Sequence, residues 1–261
     1  MFNFTKLLTS AIIFTLLLSL CGCTKYTATS SHPDALQNSE VHTAAEKEIF
    51  DLTEQFSPVD ISKLQESEVI EVGSSPSFMT SFRTLDEITK KSEYIVRGSA
   101  EKVYYTAIDG ITYTVVDFLV TESLKGEIEN NSLITVLFLG GYISMDEHIK
   151  SRGNADKFSG IPKEKWSTTF VKRTVEGAPL PQEKENYLLC LGKNKGFNDS
   201  YYPHNEYEGV FQKTGETYER YLPEGYSGEK VDVPAEYSYT KTFKLTDLKT
   251  EIEKIEKTGN N

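Results

Sequence analysis

Histidine and cysteine are the residues of this 261-residue chain best suited to metal binding or nucleophilic catalysis, and both are scarce. The four histidines, His32, His42, His148 and His204, are too widely separated for the His-x-x-x-His spacing that brings two imidazoles to one metal ion. Asp146 and Glu147 precede His148, but adjacent residues of a helix point in different directions. We therefore predict no metal ligand, and a helix start exposed to solvent at this point.

Motifs of common catalytic and cofactor sites are also missing from the sequence. It contains no Gly-x-Ser-x-Gly nucleophile elbow, no Gly-x-x-x-x-Gly-Lys phosphate loop and no Gly-x-Gly-x-x-Gly dinucleotide motif. We therefore expect no catalytic residue, no cofactor and no enzymatic activity. The formal net charge of −11 also disfavours nucleic acid as a partner, because such a chain repels phosphate groups.

A short aromatic segment, residues 197–205, has the composition of a binding surface. Tyr201, Tyr202 and His204 lie there beside asparagine and aspartate, a mixture that suits stacking and hydrogen bonding to sugars or a peptide. We single out these three as candidate ligand-binding residues. The alternative is that their rings only pack against the domain.

The beginning of the chain has the layout of a secretory signal. Lys6 precedes an uncharged, largely apolar run from Leu7 to Leu20, which is too short for a comfortable transmembrane helix. The boundary Leu20-Cys21-Gly22-Cys23 resembles the lipobox of bacterial lipoproteins, in which an aliphatic residue and small residues precede an obligate cysteine. The resemblance implies a signal peptide over 1–22 and a lipid on Cys23 that anchors the protein to the membrane.

Other interpretations of this boundary remain open. A frame ending at Cys21 places bulky Leu20 where signal peptidase needs a small side chain, and an uncleaved helix or cleavage without lipidation are further alternatives. The lipobox implies an extracytoplasmic location, at the outer face of the cell membrane in a Gram-positive source. With Cys21 removed and Cys23 lipidated, Cys190 has no disulfide partner in the chain, and its apolar neighbours predict a buried, unreactive thiol.

Residues 23–81 are expected to form a lipidated tether between the anchor and the folded domain. Residues 24–39 are rich in small polar residues without apolar periodicity, which is typical of a flexible segment. Thr43-Ala44-Ala45-Glu46 has the form of a capping box and predicts a short amphipathic helix. Residues 59–72 are ambiguous, and 73–77 look like a second linker.

The rest of the chain predicts a mainly β domain over 82–245 and an amphipathic helix over 246–261. Capping boxes beginning at Thr84 and Ser144 predict two short helices, the second ending near Gly153. Asp109-Gly110 predicts a hairpin turn, and residues 142–185 form a long irregular insertion. The predicted strands cover residues 94–105, 112–124, 133–139, 186–191 and 207–213.

This order of three strands, a helix and two strands is the connectivity of an OB-fold. The segments Ser92–Gly98, Phe118–Gly126 and Asn186–Leu189 are similar to the OB modules of netrins and tissue inhibitors of metalloproteinases. The resemblance implies an OB-like five-stranded barrel with short flanking helices and a long insertion between strands three and four. Protease inhibition is not implied, because those inhibitors use disulfides and a free cysteine amine.

We hypothesise a lipid-anchored surface lipoprotein that acts as a non-enzymatic binding module. Its partner would be a cell-wall component, a peptide or a protein, bound at Tyr201, Tyr202 and His204 in the loop between strands four and five. The nearly neutral insertion is a second candidate surface, for anionic polymers or lipid headgroups. The alternatives are a structural or assembly-factor lipoprotein and an enzyme of unrecognised type.

Overall fold

A computed structural model of the chain describes residues 58–75, 78–108, 110–153, 158, 160–197, 199–223 and 239–259. This part of the chain is mainly β, as the sequence predicts. The leader, Cys23 and the helix predicted after Thr43 lie outside the described residues. Within the described ranges, no helix is long and apolar enough to cross a membrane.

The described residues form eleven strands and three α-helices. The strands are β1 (Glu68–Ser74), β2 (Tyr94–Ile108), β3 (Ile111–Lys125), β4 (Leu133–Leu139), β5 (Gly141–Ser144), β6 (Thr169–Val175), β7 (Asn186–Lys193), β8 (Ser200–Pro203), β9 (Val210–Thr214), β10 (Thr217–Glu219) and β11 (Thr242–Lys244). The helices are α1 (Leu85–Lys91), α2 (Met145–Arg152) and α3 (Leu245–Gly259), and 3-10 helices cover Leu64–Glu66, Lys163–Thr168 and Glu206–Gly209.

Five strands close a ring in the order β7-β2-β3-β4-β8. β2 and β3 form a long antiparallel hairpin that ends at Ile108 and Ile111, and β4 continues the antiparallel sheet. β8 closes the ring by pairing in parallel with β4 and antiparallel with β7. The four strands predicted before residue 192 are therefore confirmed, with bounds that differ by a few residues.

The fifth strand of the ring is not the predicted one. The sequence placed it at 207–213, whereas β8 closes the ring and Glu206–Gly209 forms a 3-10 helix. β9 follows this helix and pairs with β7 beside β8. The chain breaks between β8 and β9 because Asn205 and Glu206 take left-handed backbone angles, with φ of 46° and 53°. Among the described strands, β8 is thus the one that pairs with both β4 and β7 and closes the ring.

A second sheet has the order β1-β6-β5. The sequence assigned β1 to the tether and β6 to an irregular insertion, and the structure corrects both predictions. β1 runs parallel to β6, with Glu68 opposite Thr169 and Ser74 opposite Val175, so folded structure begins before residue 82. Beneath this sheet lies a small core of Ile143, Met145, Ile149 and Val171. Local patterns could not show the pairing because its two strands are far apart in sequence.

The predicted helix ends are confirmed where capping groups lie within one turn. The Glu87 backbone N–H donates to Thr84 Oγ1 at 3.2 Å, and the Thr84 N–H donates to the Glu87 carboxylate at 2.9 Å. At α2 the Glu147 backbone N–H donates to Ser144 Oγ at 3.3 Å, and the helix ends at Gly153 with a left-handed φ of 62°. The C-terminal helix is also confirmed, as α3.

β7 separates two hydrophobic cores because its alternate side chains face opposite sides. Tyr187, Leu189 and Leu191 belong to the core that also contains Val116, Phe118 and Val136 from the ring. Leu188 and Cys190 belong to a second core with residues of α1 and α3, such as Ile88 and Leu248. The helices therefore cover the outer face of β7.

We expect Cys190 in the native protein to resist a bulky maleimide. Its thiol is fully buried, as the sequence predicts, and burial raises its pKa to about 12, so the reactive thiolate does not form near neutral pH. Labelling should be at least about a hundredfold slower in the native protein than after unfolding. Rapid labelling of the native protein, followed by intact mass, would contradict this assignment.

Candidate functional site

A cavity of about 400 Å³ is lined by residues from the end of β4, from β9 and from the connection between β6 and β7. β4 pairs with β8 at Thr135 and Val136, but its last residues, Phe138 and Leu139, face the cavity together with Val210 at the start of β9. The 3-10 helix Glu206–Gly209 lies between β8 and β9 in the chain and contributes Glu206 and Tyr207 to the wall. The connection between β6 and β7 forms the opposite wall.

The walls of this cavity are mostly apolar and aromatic. Phe138 and Tyr187 extend the ring core to the cavity, so the cavity continues that apolar surface. The remaining apolar wall consists of Leu139, Val175, Ala178, Pro179, Leu180, Pro181, Tyr207, Val210, Tyr221 and Leu222. A mainly apolar cavity with few polar groups is typical of small-molecule sites, which measure about 300–1,000 Å³.

Glu206 is the polar group with the most unusual environment in this wall. Its Oε2 accepts a hydrogen bond from the backbone N–H of Leu139 at 2.9 Å, at the end of β4. Glu206 is half-buried, and burial raises the pKa of its carboxyl to about 7. Burial has this effect because a low-dielectric surrounding disfavours the charged form. The cavity therefore contains a carboxyl group that changes charge near neutral pH.

The left-handed pair Asn205 and Glu206 positions this carboxyl. Asparagine tolerates the left-handed region, but for Glu206 the conformation costs about 1 kcal/mol or more. The Asn205 side-chain amide donates to Glu208 Oε2 at 2.7 Å and to the backbone oxygen of Thr80, which offsets this cost. A side-chain clasp thus holds the backbone in the conformation that directs Glu206 to Leu139.

Glu208 is the centre of that clasp and is almost fully buried, with 1% of its surface exposed. Its carboxylate accepts hydrogen bonds from Ser81 Oγ at 2.6 Å, from the Phe82 backbone N–H at 2.8 Å and from Asn205. Three donors around one buried carboxylate satisfy most of its acceptor capacity. Glu208 therefore joins the segment before α1 to the 3-10 helix beside the cavity.

Arg220 reinforces the same junction. Its guanidinium donates to the backbone oxygens of Phe82, Arg83 and Glu208, and it lies over the rings of Phe211 and Tyr239 at 5.6 and 5.3 Å. Burial lowers its pKa, although arginine stays charged at neutral pH. The positive charge of Arg220 is thus stabilised by backbone carbonyl oxygens and by the faces of two aromatic rings.

Two further contacts organise the other side of the cavity. Glu219 forms an ion pair with Lys241 at 3.1 Å, so these two wall residues balance each other's charge. The Tyr221 hydroxyl donates to the Glu176 backbone oxygen at 2.9 Å and holds the β6–β7 connection against the segment after β10. The cavity walls are therefore joined by specific polar contacts.

The structure places Tyr201, Tyr202 and His204 differently from the prediction. Tyr201 and Tyr202 lie in β8, not in a loop, because the segment closes the ring. Tyr201 is half-buried against the ring core and meets Tyr94 edge to face at 5.2 Å, whereas Tyr202 is 37% exposed. His204 is buried between the rings of Phe82 and Tyr202. Of the three, Tyr202 presents the most accessible ring.

We expect Tyr201→Ala to destabilise the fold more than Tyr202→Ala does. Tyr201→Ala removes packing in the ring core and should lower the free energy of unfolding by about 2–3 kcal/mol. This is less than the loss expected for a fully buried aromatic residue. Tyr202→Ala should cost about 1 kcal/mol or less because its ring is exposed. Denaturant unfolding of the two variants measures the difference. Equal losses would show that β8 does not pack as described.

The other residues considered for metal binding or acid–base chemistry do not form such a site in the described part of the chain. His148 is buried in α2 against Phe158, and its pKa is lowered mainly by burial, with Arg173 and Arg152 nearby. Asp146 and Glu147 occupy the first turn of that helix. Within the described ranges, no group of three or more histidine, cysteine, aspartate or glutamate residues could hold a metal ion.

Sequence reasoning missed Glu206 and the cavity. Glu206 is one acidic residue among many, and no local motif distinguishes it. Its environment depends on Leu139 and on cavity walls that come from several distant segments of the chain, and both are tertiary features. The only local sign was the Asn-Glu pair at 205–206, which lies just before the predicted strand 207–213.

Comparison with known proteins assigns the chain to no family. No protein-family model matches the chain, and no curated protein matches its sequence. Its function is therefore inferred from the cavity and from the sequence features described above.

Proposed function

We propose that the protein is a lipid-anchored, extracytoplasmic binding protein without enzymatic activity, and that the cavity beside Glu206 holds its ligand. The ligand would be, or would belong to, a cell-wall component, a peptide or a partner protein. The observation that carries the proposal is a mainly apolar cavity whose wall contains the Glu206 carboxyl, which forms no ion pair with any described residue. The lipobox-like sequence ending at Cys23 supports the anchored location.

An OB-like barrel is the fold we propose for the ring. Three consecutive antiparallel strands, β2 to β4, are followed by a helix-containing insertion and then by β7 and β8, which supports an OB-like connectivity. The proposed ligand site differs from the sequence-based one, although it lies next to it. Tyr201, Tyr202 and His204 belong to β8 and the turn that precedes Glu206, so Tyr202 remains a candidate contact for the exposed part of a larger ligand.

The proposal is tested by titrating the full-length protein with small aromatic probes in matched detergent. Phenethyl alcohol, phenethylamine and phenylacetate share one apolar body and differ in their polar end. We expect at least one of them to bind saturably, with one site per chain, in a calorimetric titration. We expect Ala178→Trp to abolish that binding because a large ring in the wall fills the cavity.

Lys195→Trp is the matched control for this experiment. Lys195 is exposed and does not line the cavity, so the added ring leaves the site unchanged. Both variants should keep the circular dichroism spectrum of the original protein. Binding that survives in Ala178→Trp, or failure of all three probes to bind, would contradict the proposed site.

A further inference from the structure

We infer that the cavity selects ligands with an ammonium group on an apolar body, and that the Glu206 carboxylate receives this group. The inference rests on the proposed function and names the ligand chemistry of the same cavity. It follows from the distribution of charge in the wall, from the hydrogen bonds already made there and from the apolar surroundings.

The first step is the balance of charged groups. The charged residues of the wall are Glu206, Glu219, Arg220 and Lys241. Glu219 and Lys241 pair with each other, and the Arg220 guanidinium donates to backbone oxygens outside the cavity. Glu206 forms no ion pair with any residue in the part of the chain described. A ligand that enters the cavity therefore meets one carboxyl whose charge is not balanced by a neighbour.

The second step is the hydrogen-bonding capacity of Glu206. An ionised carboxylate only accepts hydrogen bonds and has room for about four donors. The structure gives one protein donor, the Leu139 N–H on Oε2. An ammonium group donates three hydrogen bonds and supplies the opposite charge, and charge-assisted hydrogen bonds are about twice as strong as neutral ones. A carboxylate ligand would instead repel Glu206.

The third step is the shape and polarity of the rest of the site. Phe138, Leu180, Tyr187 and Val210 surround the cavity with apolar surface, which suits an aromatic or aliphatic body. Because these walls are mostly apolar, the attraction between ammonium and carboxylate is screened less than at a fully exposed surface. A fully hydrophilic polyamine would lose hydration here without regaining contacts.

Protonation of Glu206 gives the inference a pH signature. The pKa of the free carboxyl is raised to about 7, so an amine ligand must bind the ionised fraction. Affinity should be low at pH values below that pKa and should rise by at least about tenfold between pH 5 and pH 8. Other titratable or charged groups at the cavity are Tyr187, Tyr207, Glu219, Arg220, Tyr221 and Lys241, and His204 lies two residues away.

The test compares the three aromatic probes on the full-length protein and on the Glu206→Gln variant. This variant retains an oxygen acceptor for the Leu139 N–H and leaves all the other titratable groups in place. At pH 8 we expect phenethylamine to bind at least about tenfold more tightly than phenethyl alcohol. Glu206→Gln should remove this preference and the pH dependence, while the alcohol binds about as before. Unfolding curves of the variant establish that the fold is kept.

The outcomes separate the inference from the proposed function. Binding of the alcohol or of phenylacetate as tightly as the amine, blocked by Ala178→Trp, would overturn the ammonium preference and leave the ligand site supported. Binding that improves as pH falls would also overturn it, because a protonated Glu206 would then be the donor. A short capped peptide whose only cation is one lysine distinguishes a peptide side chain from a free amine as the source of the ammonium group.

Discussion

Cys23→Ser should transfer nearly all of the protein from the membrane fraction to the soluble fraction, or leave an unprocessed precursor. The reason is that the lipid on the Cys23 sulfur would be the anchor, and each methylene buried in the bilayer contributes about 0.8 kcal/mol. Two or three acyl chains would hold the protein in the bilayer, whereas a single chain gives only marginal binding. Cell fractionation and intact mass of the detergent-extracted protein measure the effect.

Cys21→Ser is the matched control for this prediction. Cys21 lies two residues before Cys23, the proposed N-terminus of the mature protein, and would be removed with the leader. Its replacement should therefore preserve both membrane attachment and the mass of the mature protein. If Cys21→Ser releases the protein and Cys23→Ser does not, the alternative frame is the correct one. If neither changes the mass or the location, the lipobox interpretation is wrong.

Glu208→Ala is expected to lower the free energy of unfolding by about 3–5 kcal/mol, the largest stability loss among the variants considered. Removal of this buried carboxylate leaves the Phe82 N–H, the Ser81 hydroxyl and the Asn205 amide without their acceptor. It also removes the negative charge that contributes most to stabilising the charged form of the nearby Arg220 guanidinium. Denaturant unfolding with a common m-value measures the loss.

Glu216→Ala provides the control for that experiment. Glu216 is exposed in the turn between β9 and β10, so its loss should change the free energy of unfolding by no more than about 0.5 kcal/mol. A loss below about 1 kcal/mol in Glu208→Ala would show that the clasp is not a stabilising junction. Because the clasp positions Asn205 and Glu206, the same variant should also weaken binding at the cavity.

Features decided by neighbouring residues could be read from the sequence. The capping boxes at Thr84 and Ser144 predict α1 and α2 because each capping hydrogen bond closes within one turn. The alternation of apolar residues predicts β3, and a nearly continuous apolar run predicts β4. The apolar neighbours of Cys190 likewise predict its burial, which the structure confirms.

Short strands and the cavity were outside the reach of such patterns. β8 has four residues and β10 has three, too few for an alternation to stand out, and β8 is defined by its two partners. β1 is an edge strand with little burial, so most of its sequence remained ambiguous, and its partner β6 lies far along the chain. Sequence reasoning therefore extended the tether too far and chose the wrong fifth strand.

The sequence by itself determined the mainly β class, the ends of the helices and the buried thiol, because these depend on residues within a few positions of each other. Only the tertiary structure decided that β8 closes the ring and that Glu206 faces an apolar cavity. The physical reason is that the charge state of a carboxyl is set by the dielectric and the donors around it. For Glu206 those are Leu139 and the walls between β4 and β9, which folding alone brings together.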